Sequence, residues 1–231
     1  KIDRGFELIV DLWGADHHGY VPRMKSALQA IGYDENVFKV MLVQFVSLKR
    51  GGEKVSMSTR SGKFVTLSDV IKEVGVDATR FFFLMRSSDT HLDFDLELAK
   101  KESPENPVFY IQYAHARICS IFQTATKQGI NLLDQVDLDL KPLENEEELI
   151  IIKKILAFTE TVEKSAELLE VHRIAFYLQD LVGTFHRYYS SNRIVSDDQT
   201  VTLARLFLMN CLRVTIRNGL SIMGVSAPAS M

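Results

Sequence analysis

The stretch Glu105-Asn106-Pro107-Val108-Phe109-Tyr110-Ile111-Gln112-Tyr113-Ala114-His115-Ala116-Arg117 decides how this chain is built. Asn followed by Pro is a helix start, with the amide side chain capping free N–H groups and the proline at the first helical position. Apolar residues at 111, 114, 118, 121 and 125 then keep one face inward. Tyr110, Tyr113 and Arg117 fall at i, i+3 and i+7 on a different face.

Downstream of Pro107 the pattern stays helical to about residue 222, with few glycines and one further proline, Pro142. Acidic residues from Glu144 to Glu148 open a second long helix, and Val171 to Tyr189 reads as a third. Ser196-Asp197-Asp198-Gln199 has the form of a capping box opening a last helix through about Ile222. Four long helices predict an antiparallel bundle, with a polar loop over 127–147.

Upstream the character is α/β. Phe6 to Trp13 reads as a strand ending at Gly14, and Tyr20 to Ile31 as a helix with Pro22 near its start and Gly32 as its stop. The apolar run Val40 to Leu48 leads into Gly51-Gly52, after which Lys54 to Met57 forms the return strand of a hairpin. Helices are expected over Ser68–Val74 and from Asp77, which caps Ala78 to Met85. The composition changes near residue 104, predicting an α/β domain over 1–104 and an all-helical one over 105–231.

Bulk properties limit the function. A chain of 231 residues with 46% hydrophobic and 25% charged residues is long enough for a sizeable core. There is no run of about 18 apolar residues and no signal-peptide pattern at the start, so a cytoplasmic protein off the membrane is expected. Cys119 and Cys211 lack ligand spacing and read as core thiols. A net charge of −3 argues against a general nucleic-acid coat. Any nucleic acid must meet a local patch.

Three places could carry chemistry. Gly14-Ala15-Asp16-His17-His18-Gly19 follows a strand, where open α/β sheets bind ligands, and Asp16 suits ribose hydroxyls. From spacing alone a turn with an Asx hydrogen bond explains it equally; two adjacent histidines are a poor metal pair, so no metal site is assigned. Lys54-Val55-Ser56-Met57-Ser58-Thr59-Arg60-Ser61-Gly62 offers movable charge and hydroxyls for phosphates, although it lacks P-loop spacing. In the helical part, Tyr110, Tyr113 and Arg117, the cluster Phe185-His186-Arg187-Tyr188-Tyr189 with Asn192-Arg193, and Arg213 with Arg217 are stacking and cationic surfaces for unpaired bases. Packing between helices explains each cluster singly.

Trp13-Gly14-Ala15-Asp16-His17-His18-Gly19-Tyr20, Gly75-Val76-Asp77-Ala78-Thr79-Arg80-Phe81-Phe82 and the Glu105 to Arg117 stretch resemble arginyl-tRNA synthetase motifs in that family's order. The resemblance covers essentially the whole chain. It implies the C-terminal part of a class I, Rossmann-type catalytic domain followed by a helical anticodon-binding domain, with ATP and arginine as substrates, Mg2+ supporting the ATP, tRNA as partner and a monomeric state. It carries nucleotide binding onto Gly14, Asp16 and His17. Phosphate stabilisation falls on the loop of Lys54, Ser56, Met57, Ser58, Thr59 and Arg60. Ser56-Met57-Ser58-Thr59 stands where the family has K-M-S-K, so both signature lysines are missing, and Lys49, Lys54 or Arg60 is left to supply the charge. The resemblance turns Tyr113, Tyr189 or its neighbour Tyr188, and Met231 toward the anticodon loop, and the surfaces read from spacing add Tyr110, Arg117, Asn192 and Arg213 as tRNA contacts.

One departure matters more. Nothing in residues 1–231 matches the H-I-G-H signature that opens the family's catalytic fold. A fragment inactive alone in aminoacylation but able to contact tRNA is expected. A free-standing tRNA-binding module is the alternative. A cysteinyl-type synthetase is disfavoured by the lack of zinc-ligand cysteines.

Overall fold

The structure is a computed structural model that describes residues 1–55, 65–132 and 137–231. The chain divides into two compact units: the first runs from Lys1 through a β-hairpin and adds Arg86–Asp95, and the second holds the remaining residues to Met231.

In the first unit, strand β1 (Ile9–Gly14) leads through a 3-10 helix, Ala15–Tyr20, into α1 (Val21–Ala30). A second 3-10 turn, Glu35–Val37, is capped by Asp34, whose carboxylate accepts from the Asn36 N–H at 2.9 Å. Strand β2 (Phe38–Val43) then returns parallel to β1, with Ile9 opposite Phe38 and Gly14 opposite Val43. Strands β3 (Val46–Arg50) and β4 (Glu53–Lys54) pair antiparallel around Gly51 and Gly52, whose φ values of 59° and 86° are those of a twisted two-residue hairpin turn. Strand β5 (Leu92–Asp95) lies parallel to β3. Phe38, Leu48, Leu92 and Phe94 are buried.

One expectation is corrected here. The apolar run Val40 to Leu48 is two strands in separate sheets, broken at Gln44, whose N–H leaves the ladder and donates to the Ser88 carbonyl at 2.9 Å. Strand β5 had no expectation at all. The hairpin itself forms as read, while Met57 at its expected end lies outside the described residues.

The second unit is helical: α2 (Leu67–Val74), α3 (Val76–Leu84), a short α4 (Leu96–Lys100), and the long α5 (Pro107–Lys127), α6 (Glu146–Leu168), α7 (His172–Ser191) and α8 (Gln199–Ile222). The capping residues explain the starts. Asn106 accepts from the Val108 N–H, Asn145 forms a reciprocal box with Glu148, and Asp198 accepts from the Thr200 and Val201 N–H groups. The last helix thus starts at Gln199 on Asp198, and Ser196 lies outside it. Asp77 likewise does not cap α3, because its carboxylate accepts from Gln112 and Ser226 instead.

Helices α6 and α7 are joined through Leu169–Val171 alone, so they run antiparallel. Ile111, Ile118, Ile151, Leu178, Leu181, Phe185, Leu212 and Ile216 form the dry interior of the bundle. At Gly219 helix α8 packs closely on α7: a Cβ there would lie 2.8 Å from Leu178 Cδ2. Both cysteines are free thiols, half-buried. No helix among the described residues is long and apolar enough to cross a membrane. Among the described residues the chain is mostly helical with two small sheets.

Candidate nucleic-acid interface

Helix α5 presents Tyr110, Tyr113 and Arg117 toward the last turns of α7, as the i, i+3, i+7 spacing requires. The Arg117 guanidinium sits 5.0 Å from the Tyr113 ring centre and 5.1 Å from that of Tyr189. It donates through Nη2 to Tyr113 Oη, and through Nη1 to Tyr189 Oη at 3.5 Å. Those two phenol oxygens, Tyr189 first, hold its pKa above the ordinary value. His186 completes the platform. Its ring stacks on Tyr110 at 4.4 Å and on Tyr113 at 5.9 Å, and Tyr113 stacks on Phe109 at 6.0 Å. Burial, reinforced by the Arg117 charge and opposed by the Tyr110 backbone, pushes the His186 pKa down. Among the described residues its buried Nε2 has no hydrogen-bond partner.

Beside this platform lies a cleft of about 710 Å³, walled by Arg117, Ser120 and Thr124 of α5, by Gln128 at its C-terminal cap, and by the segment Tyr189 to Val195. Its lining of hydroxyls, amides and two guanidinium groups around a tyrosine face suits unpaired bases and their phosphates. Ser120, Thr124 and Gln128 were missed from sequence. Their signal was present, since with Arg117 they repeat every three or four residues along one face.

The remaining helical candidates divide. Tyr188 is corrected: it is fully buried and its hydroxyl donates to Glu148 Oε1 at 2.7 Å, so it cannot face a base and Tyr189 remains. Asn192 lines the cleft, but its Nδ2 is engaged by Glu147 Oε2 at 2.7 Å and the Tyr188 carbonyl at 3.0 Å. Arg213 lies 4.8 Å over the Phe122 ring and donates to Asn210 Oδ1 at 2.8 Å, whereas Arg217 is exposed. Met231 is 57% exposed.

In the first unit, Gly14 ends β1 and the following 3-10 turn places Asp16 and His17 in solvent, with Asp16 Oδ2 and His17 Nε2 3.6 Å apart. A Cβ on Gly14 would meet Asp16 Oδ1 at 2.5 Å, so the glycine makes room for that carboxylate. His18 instead donates to the Ala15 carbonyl at 3.1 Å. Lys54 is exposed on β4, while Lys49 is held by Asp93 at 2.7 Å, an ion pair that lowers the Asp93 pKa. Ser56, Met57, Ser58, Thr59 and Arg60 lie outside the described residues. Among the described residues no three His, Cys, Asp or Glu side chains converge as a metal cage.

The helical bundle thus carries stacked aromatic rings, a guanidinium flanked by two phenol rings and a polar cleft beside them. Residues 111–231 match the model of the DALR anticodon binding domain, and the chain belongs to that family. Over its whole length it is 53% identical to the arginine–tRNA ligase of Syntrophotalea carbinolica, of which it spans 42%. It superposes on a crystal structure described as an arginyl tRNA synthetase from Campylobacter jejuni with a TM-score of 0.88 and 36% identity, covering 100% of this chain and 49% of that one. The arginyl-tRNA synthetase of Thermus thermophilus shares the fold at a TM-score of 0.74 and 22% identity, over 97% of this chain and 41% of that one. The motif-based resemblance to arginyl-tRNA synthetases therefore holds across the chain. The chain spans less than half the length of the relatives it matches.

Proposed function

We propose that this chain forms the tRNA-reading end and part of the ATP-using centre of an arginine–tRNA ligase. The observation that carries the reading is Arg117, clamped between Tyr113 and Tyr189 at the mouth of the cleft. Tyr110, Tyr113, Arg117 and Tyr189 stack or brace unpaired anticodon bases, Arg213 adds positive charge, and Met231 faces the anticodon loop as the family resemblance implies.

Residues 1–104 are proposed as part of a Rossmann-type catalytic domain and 105–231 as the anticodon-binding domain. The parallel pair β1 and β2 with α1 between them supports the first. So does exposed apolar surface on that pair, with Leu12 of β1 68% and Val43 of β2 39% exposed, because parallel sheets are built to be covered on both faces. Asp16, given room by Gly14, accepts from the ribose hydroxyls of ATP beside His17. Lys54 with the Ser56 to Arg60 loop lowers the energy of charge developing on the phosphates as arginyl-adenylate forms. Mg2+ supports the ATP, as the family resemblance implies. A cytoplasmic monomer is the corresponding cellular form.

The test is arginine-dependent charging. The complete protein carrying this chain charges arginine-accepting tRNA with ATP, whereas the 231 residues alone bind the tRNA without charging it. Charging by these residues alone, or no tRNA binding by the complete protein, would overturn the reading.

A further inference from the structure

Glu148 and Arg205 form an ion pair that packing alone does not explain. Glu148 is fully buried, the Arg205 side chain is 18% exposed, and Arg205 Nε donates to Glu148 Oε1 at 2.8 Å. Replacing such a pair with apolar side chains of similar volume is often neutral or stabilising, so stability is a poor reason for its presence. Its hydrogen bonds reach the cleft. Tyr188 donates to the same Oε1 at 2.7 Å, and the Asn145 N–H donates to Oε2 at 3.3 Å. Arg205 Nη1 donates to the Arg193 carbonyl at 2.8 Å. Asn145 Nδ2 in turn donates to Asn192 Oδ1 at 3.1 Å.

The wall from Tyr189 to Val195 is thus fixed at Tyr188, Asn192 and Arg193, all through the start of α6 and Arg205. The opposite wall is the rigid face of α5. A shift of the first wall moves the Tyr189 ring away from Arg117 and changes the width presented to a base. We propose that Glu148 and Arg205 are positioning residues of the cleft: without touching RNA, they fix the Tyr189–Val195 wall and so set how strongly unpaired bases are told from an empty backbone. This rests on the RNA-reading role given above.

The test compares two RNA hairpins bound by the complete protein, an arginine-accepting anticodon stem-loop and the same stem-loop with abasic loop positions. In the unsubstituted protein the first binds at least about tenfold more tightly, the worth of one stacked base. The double variant Glu148→Leu with Arg205→Met also leaves the buried Tyr188 hydroxyl without its acceptor, so its melting temperature falls, and its affinity ratio falls about tenfold toward one. Glu148→Gln, which keeps an acceptor for Tyr188 and Arg205, retains most of the ratio. Partial unfolding lowers both affinities together and leaves the ratio intact, so an unchanged ratio in the double variant overturns the positioning role whatever happens to stability. A ratio of one in the unsubstituted protein overturns the RNA-reading role itself.

Discussion

Gln112 Nε2 donates to the Ser226 carbonyl at 2.9 Å and to Asp77 Oδ2 at 2.8 Å, so one amide joins α5 to both α3 and the tail that follows α8. The Ser226 N–H donates to Asp77 Oδ1 at 3.2 Å, its hydroxyl donates to Oδ2, and His115 Nδ1 donates to the Pro228 carbonyl at 2.8 Å. The tail is strapped across α5, and Met231 at its end is carried with it. Asp77→Ala is expected to cost about 1 kcal/mol, since three hydrogen bonds are lost while the exposed Ser226 donors turn to water and Gln112 keeps the Ser226 carbonyl. Urea unfolding measures this, and limited proteolysis should then remove the tail faster. A loss under about 0.5 kcal/mol, the range of neutral surface changes, would show that the strap holds without Asp77.

Two helical glycines predict opposite results for one substitution. At Gly219 a Cβ would meet Leu178 at 2.8, 3.1 and 3.2 Å, whereas at Gly183 the nearest atom is the flexible Arg187 Nη1 at 3.8 Å. Gly219→Ala is expected to destabilise by about 1–3 kcal/mol through overpacking of α7 on α8, while Gly183→Ala stabilises by about 0.5–1 kcal/mol through helix propensity. Melting temperatures that move in the same direction would contradict this reading of the packing.

Stability should fall with acid through two histidines. Burial, with the Arg213 and Arg217 charges added and the Pro228 carbonyl opposing, pushes the His115 pKa below its ordinary 6.5; burial and Arg117 do the same at His186. Between the lowered folded value and the unfolded one, the unfolded chain binds more protons. The neutral rings' contribution is therefore complete above about pH 6.5 and is lost as pH falls toward the folded pKa values. Urea midpoints at about pH 7.5 and about pH 5.5 should differ more for the unsubstituted protein than for His115→Gln with His186→Phe. Equal pH dependence in the two would place both imidazoles in contact with solvent.

Much of the helical unit was legible in sequence because its signals are local. Asn106 before Pro107 marked the start of α5, and the acidic run near Asn145 marked α6 to within two residues. The choice between Tyr188 and Tyr189 was legible too: Leu178, Leu181, Phe185 and Tyr188 share the three-or-four spacing of a core face, which leaves Tyr189 outward. What escaped depends on partners distant in sequence. Glu148 reads as one more first-turn acid, and only Tyr188 and Arg205, 40 and 57 residues away, make it the buried centre of a network. Asp77 reads as a cap until Ser226 competes for it. Strand β5 is four residues long and is a strand because β3 lies beside it.

The reading of Arg117 makes the sharpest functional prediction, because its charge and its planarity can be separated. A cation attracted to phosphate needs only charge, which lysine keeps, whereas a plate held between the Tyr113 and Tyr189 rings needs the flat guanidinium. In the complete protein, Tyr113→Ala is expected to raise the KM for tRNA by about 1–3 kcal/mol, one stacked base, with the KM values for arginine and ATP unchanged. Arg117→Lys should lose most of what Arg117→Ala loses, since the two phenol rings would close on a thin alkyl stem and the cleft mouth would lose its shape. Steady-state charging kinetics with varied tRNA decide it. If Arg117→Lys matches the unsubstituted protein while Arg117→Ala does not, the residue acts as a point charge and the stacked-plate account of the cleft is wrong.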